Sequence, residues 1–161
     1  MGLFKNSSFK KAMATAQKNK AAEAKRDAQN RDKATRLLKS VAEGVRTVTT
    51  TTKPGEFFLQ YDIVVKNLEA LMEMETSGDF PAYEFDPHEN HAKMIRLYAK
   101  ETNAFIIRSF KEVKAKADAI SSEKGKKDLM NQWFKTMGHY IEDMEAESID
   151  YFYALKDQYN K

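Results

Sequence analysis

Residues 56–76 read EFFLQYDIVVKNLEALMEMET, with Phe57, Tyr61, Val64, Val65, Leu68, Leu71 and Met72 recurring at three-to-four spacing. That period is one face of an α-helix, so about six turns of it need a partner surface to bury them. Lys53-Pro54-Gly55 precedes the stretch and Ser77-Gly78 follows it. Pro is tolerated in a first helical turn, and Gly punctuates an end, so both boundaries are written in the chain.

Working downstream, Asp79 to Phe85 contains Pro81 and reads as a short loop. Its Phe80, Tyr83 and Phe85 are expected to cover the ends of the helices rather than form a binding spot. Asp86-Pro87 is a helix start, because the carboxylate accepts an orphan N–H and Pro occupies a position that needs no donor. The next helix is expected over 87–120, its apolar side running His91, Met94, Ile95, Tyr98, Thr102, Phe105, Ile106, Ser109, Val113, Ala117 and Ile120. After the polar turn Ser121 to Lys127, a last helix over 126–160 carries Leu129, Met130, Trp133, Phe134, Met137, Tyr140, Ile141, Met144, Tyr151, Phe152, Leu155 and Tyr159. Two helices of this length around a short turn make an antiparallel hairpin of roughly 45 Å at 1.5 Å per residue.

Upstream, Phe9 to Val48 holds no Pro and only Gly44 among good helix formers;. At about 100° per residue, Phe9, Met13 and Ala16 share a side with Ala34, Leu37, Leu38, Val41, Val45 and Val48. Between those groups the same side carries Lys20, Glu23, Asp27 and Asn30, which cannot enter a core. The run Thr47–Thr52, broken only by Val48, is β-branched and weakens the helix before Lys53-Pro54-Gly55 turns it. The fold class is therefore all-α: an antiparallel helical bundle, residues 34–161, with a long basic N-terminal helical arm, residues 1–33.

Charge separates those two parts. Residues 1–53 hold thirteen Lys and Arg against four Asp and Glu, a balance of +9, and the remainder holds fourteen against twenty, a balance of −6. Lys11, Lys18, Lys25 and Arg36 project within about 40° of one another, with Arg26 and Lys33 alongside, opposite the Phe9 and Met13 face. A helix built only for solubility interleaves Glu at i, i+4, whereas residues 1–22 contain no carboxylate;. The arm is expected to meet something negative, through Phe9, Lys11, Met13, Lys18, Lys25, Arg26, Lys33 and Arg36.

A protein partner with an acidic surface, or another copy of the chain, ranks first, because it uses both the ridge and the apolar face. Sequence-independent nucleic-acid binding through the Lys/Arg ridge is the alternative. No aromatic beyond Phe9 interleaves the lysines, which argues against base stacking. Leu3, Phe4 and Phe9 diverge on a helix, which argues against a membrane surface.

Other chemistry finds little footing. The chain has no cysteine, hence no disulfide, thiolate metal site or cysteine nucleophile;. Glu-x-x-His, the inward pair of di-metal helical bundles, is absent from the sequence;. His88-Glu89-Asn90-His91 and His139-x-x-Glu142 are too far apart on an antiparallel hairpin to share an ion. The acidic run Glu142, Asp143, Glu145, Glu147 and Asp150 reads as a solvated helix face, or as a place to receive the basic arm of another copy or of the same chain. No phosphate loop or nucleophile elbow occurs. The expectation is a non-enzymatic interaction or assembly protein, with no cofactor, metal or small-molecule substrate. No apolar run reaches membrane-spanning length, no signal peptide is read, and Asn6 stands where myristoylation wants Ser or Thr;. A cytoplasmic, unlipidated chain is expected.

Overall fold

A computed structural model describes the backbone of residues 2–80 and 85–161 and the side chains of residues 8–80 and 85–161. The described residues form six α-helices and no strand: α1 Gly2–Thr50, α2 Pro54–Thr76, α3 Pro87–Arg96, α4 Tyr98–Asp118, α5 Glu123–Gly138 and α6 Ala146–Asn160, with a 3₁₀ turn Ile141–Asp143 between the last two.

Helix α1 runs 49 residues, about 74 Å at 1.5 Å per residue. It ends through its threonines rather than before them. Thr47 donates to the Glu43 carbonyl, Thr49 to Val45 and Arg46, and Thr50 to Arg46, each at 2.8–3.0 Å. This back-bonding lets the β-branched run finish the last turn. Arg108 then reaches across from α4. Its Nε donates to the Thr51 carbonyl at 2.8 Å and its Nη2 to the Val48 carbonyl at 3.0 Å, placing a cation at the negative end of the α1 dipole. Ser109 donates to the Thr52 carbonyl at 2.7 Å and accepts the Trp133 indole N–H at 2.8 Å.

After residues 51–53, α2 doubles back along α1. Ala34 and Val41 bury against Val64, Leu68, Leu71 and Met74, with Leu37, Leu38, Phe80 and Phe85 packed around them. Phe80 and Phe85 thus cover the α1–α2 end as expected, while Tyr83 lies outside the described residues. The helices approach closely at Gly44, where an added Cβ would lie 2.3 Å from Val64 Cγ2. Helix α2 closes at Gly78, whose φ of +73° is the left-handed region that glycine enters without strain.

The second cluster joins Val48, Phe57, Phe58 and Tyr61 to Phe105 and Ile106 of α4, to Met130, Trp133, Phe134 and Met137 of α5, and to Phe152 of α6. Phe57 stacks on Phe105 with centroids 4.5 Å apart, and Phe134 meets both Trp133 and Phe152 within 6.0 Å;.

The two long C-terminal helices are each interrupted. The span 87–120 bends at Leu97, with φ −91° and ψ 2°, and helix stops at Asp118. The span 126–160 breaks over residues 139–145, where Met144 and Glu145 are extended. Tyrosine hydroxyls meet a carbonyl at each interruption. Tyr61 donates to the Met94 carbonyl, and Tyr98 donates to the Asp143 carbonyl. An unbroken 45 Å hairpin is therefore replaced by four helices with two bonded joints.

Candidate functional site

Every partner-binding residue read from the sequence lies on α1. Phe9, Lys11, Met13, Lys18, Lys25, Arg26, Lys33 and Arg36 are all exposed. Phe9 keeps 66% of its surface in solvent and Met13 47%, a poor use of apolar side chains unless something covers them. Residues 8–29 are exposed throughout, and burial begins at Asn30 and is complete at Ala34. The side chains of Leu3 and Phe4, on which the membrane reading turned, lie outside those described.

The ridge is not uniform. Arg26 projects about 80° from Lys18 toward the α2 side of the helix rather than away from it. Its Nη2 contacts Asp79 Oδ1 at 2.9 Å, and this carboxylate raises the guanidinium pKa by hydrogen bonding and by charge. Arg26 therefore clasps the α2 end, whereas Lys11, Lys18, Lys25 and Arg36 project to the far side.

The histidines pair with carboxylates of the neighbouring helix. His91 Nε2 lies 3.2 Å from Glu69 Oε1, and His88 Nε2 lies 3.8 Å from Glu75 Oε2. His139 is exposed and remote in sequence from both. Among the described residues no three His, Cys, Asp or Glu side chains converge to hold a metal ion. No described helix is long and apolar enough to cross a membrane.

A second surface was not read from the sequence. An open groove of about 660 Å³ lies over the N-terminal half of α2, lined by Gly55, Phe58, Leu59, Tyr61, Asp62 and Val65, by Ile95 and Tyr98 at the α3–α4 joint, and by Tyr140, Asp143 and Glu145 from the α5–α6 break. Three carboxylates and no Lys, Arg or His line it. Tyr140 stacks on Phe58 with centroids 4.8 Å apart to form its floor. Leu59 is 59% exposed and Ile95 51%. Burial, with Asp143 and Glu145 nearby, pushes the Tyr98 hydroxyl pKa up to about 12. Burial first, then the charges of Glu101, Tyr98 and Glu145, raises that of Tyr61 further. Both hydroxyls stay protonated and donate to the carbonyls of the two joints.

The acidic run is accordingly not one helix face. The 3₁₀ turn and the extended Met144 and Glu145 gather Asp143 and Glu145 beside aromatic rings, which a continuous helix would not do. One signal was available: Leu59 sits about 160° around α2 from Phe57, an apolar residue off the core stripe. Comparison with protein-family models, with curated proteins and with solved structures returns no match.

Proposed function

We propose that this chain is a non-enzymatic interaction protein: a helical bundle, residues 34–161, from which the basic helical arm, residues 1–33, reaches out to bind an acidic protein surface. The observation carrying the reading is the pairing, on one exposed helix, of an uncovered Phe9 and Met13 face with a Lys/Arg ridge and no carboxylate before Glu23. A purely electrostatic contact needs no apolar face. Lys11, Lys18, Lys25 and Arg36 supply steering and orientation, and Phe9 and Met13 supply contact that salt does not screen.

The test is the salt and mutation response of whatever copurifies with the protein from its own source without nuclease treatment. A protein complex weakens moderately with salt and loses affinity on Phe9→Ala or Met13→Ala as well as on reversal of Lys11 and Lys18. Nucleic-acid binding through up to about six phosphate contacts falls by orders of magnitude over the same salt range and ignores Phe9→Ala; that outcome would overturn the proposal. Joint replacement of His88, His91 and His139 should leave binding intact, and stoichiometric metal in the purified protein would count against a non-enzymatic role.

A further inference from the structure

We infer that the groove over α2 is the receiving site for the arm of a second copy of this chain, with Phe9 and Met13 entering against Leu59, Ile95 and Tyr140 while Lys10 and Lys20 face Asp62, Asp143 and Glu145. The inference rests on the reading of the arm as the binding element and names what it binds.

Three observations carry it. The surfaces are complementary in charge: the groove has carboxylates and no base among its lining residues, and residues 1–22 have bases and no carboxylate. They are complementary in polarity too, since Phe9, Met13, Leu59 and Ile95 are four of the most exposed large apolar side chains described. On the α1 projection Lys10 flanks Met13 by about 60°, and Lys20 falls between Phe9 and Met13 in direction. The face that presents the apolar pair thus also presents two ammonium groups, leaving Lys11 and Lys18 on the outside, where they steer the approach to the acidic groove without touching it. Asp62 already pairs with Lys66 at 2.9 Å, but both side chains are more than half exposed, and solvent screens an i, i+4 pair of that kind so that it holds only weakly. It yields readily to a better partner.

The third observation excludes the chain's own arm. Burial of Ala34 and Val41 against Leu68, Leu71 and Met74 sets α1 antiparallel to α2, and Arg26 meets Asp79 beyond it, at the C-terminal end of α2. Phe9 lies 17 residues before Arg26, about 25 Å further out along a continuous helix, whereas the α2 residues of the groove, Val65 back to Gly55, lie roughly 20–35 Å from Asp79 in the opposite direction. A second copy meets no such limit. Arm and groove are different surfaces, so the contact is head-to-tail, and each copy keeps one free arm and one free groove for growth into rings or open chains.

Sedimentation velocity of the full-length protein over a concentration series tests this. Wild type should form species larger than a dimer, weakening moderately with salt. An arm variant, Phe9→Ala with Lys10→Glu and Lys20→Glu, and a groove variant, Leu59→Ser with Asp62→Lys and Glu145→Lys, should each self-associate at least tenfold more weakly. All six positions are exposed, so both variants should keep the wild-type circular dichroism and melt; should the groove variant unfold, Asp62→Asn with Glu145→Gln replaces it and should weaken association in the same direction. The decisive sample is the mixture: the intact arm of one variant meets the intact groove of the other, giving a 1:1 heterodimer that grows no further. A wild-type monomer at every soluble concentration, a groove variant that associates like wild type, a mixture without heterodimer, or association abolished by nuclease overturns the inference. If wild type is monomeric yet the arm substitutions release an acidic protein that wild type holds, arm-mediated binding survives and self-docking fails. If the arm substitutions change neither, both fail.

Discussion

At Gly44 an alanine Cβ would lie 2.3 Å from Val64 Cγ2, inside any allowed contact, and Val64 is fully buried and cannot move aside. Replacing a helical Gly by Ala ordinarily gains about 1 kcal/mol of helix propensity. Here the methyl must instead push α1 from α2, at about 1–3 kcal/mol for an overpacked core. Gly44→Ala should therefore lower the melting temperature, where the same change at an exposed helical glycine would raise it. Read in sequence, Gly44 is a mere interruption of a helical run, because a close approach belongs to two helices and only one of them is local. Ser109 makes a parallel case. Its hydroxyl accepts the Trp133 N–H and donates to the Thr52 carbonyl, so Ser109→Ala leaves two polar groups without their partner in a buried place. The expected cost is about 1–3 kcal/mol, read as a lower thermal midpoint with altered tryptophan emission. That Ser109 lies on the inner side of its helix is legible from spacing. That it ties the α1–α2 turn to the tryptophan is not.

Among the elements, α2 is the most legible: its stripe, its Pro54 start and its Gly78 end all stand in residues 53–78. The breaks at Leu97 and at 139–145 are less so. KMIRLYAKE, residues 93–101, contains no Gly or Pro, and the bend there coincides with the Tyr61 hydroxyl taking the Met94 carbonyl, a tertiary bond with no local trace. Gly138 does precede the second break and is a usable sign. The groove was hidden for the same reason, since Asp143 and Glu145 join Asp62 at its rim only because α5 and α6 are separate helices. Helix α1 makes its own prediction. Residues 8–29 are exposed, and the Arg26–Asp79 pair, with Arg26 69% exposed, is a solvent-screened surface pair that adds little to stability. The helix is held at its packed end, and an isolated Ala/Lys segment without that anchor is marginal. Deleting residues 1–25 should therefore leave the cooperative melt within a few degrees of wild type while lowering far-UV helix signal in proportion to the residues lost. Loss of cooperative unfolding would show that the exposed span supports the fold after all.

Over the whole molecule, Tyr61 and Tyr98 bind three regions into one. Tyr61 of α2 holds the Met94 carbonyl at the end of α3, and Tyr98 at the start of α4 holds the Asp143 carbonyl at the α5–α6 break. The rings meet edge to face, 4.7 Å between centroids. Both hydroxyls are harder to ionise in the fold than in the unfolded chain. Burial is the leading cause for each; Glu101 and Glu145 add to it at Tyr61, and Asp143, Glu145 and Asp62 at Tyr98, against a smaller opposing hydrogen bond from Thr102. The sign follows from proton counting. Below a tyrosine's ordinary pKa of 10.0, folded and unfolded chains both hold the proton and these groups give no pH dependence. Above it the unfolded chain releases protons that the folded chain keeps, so stability falls as pH rises from 10.0 toward the folded Tyr98 value of about 12;. Lysines lose charge in the same range, so wild type alone does not isolate the tyrosines. Tyr61→Phe and Tyr98→Phe do: each should lower the neutral-pH melting temperature through the lost hydroxyl bond and also flatten the alkaline fall, the double variant most. An alkaline slope equally steep in the double variant would assign it to the lysines and leave the tyrosine joints without a part in it.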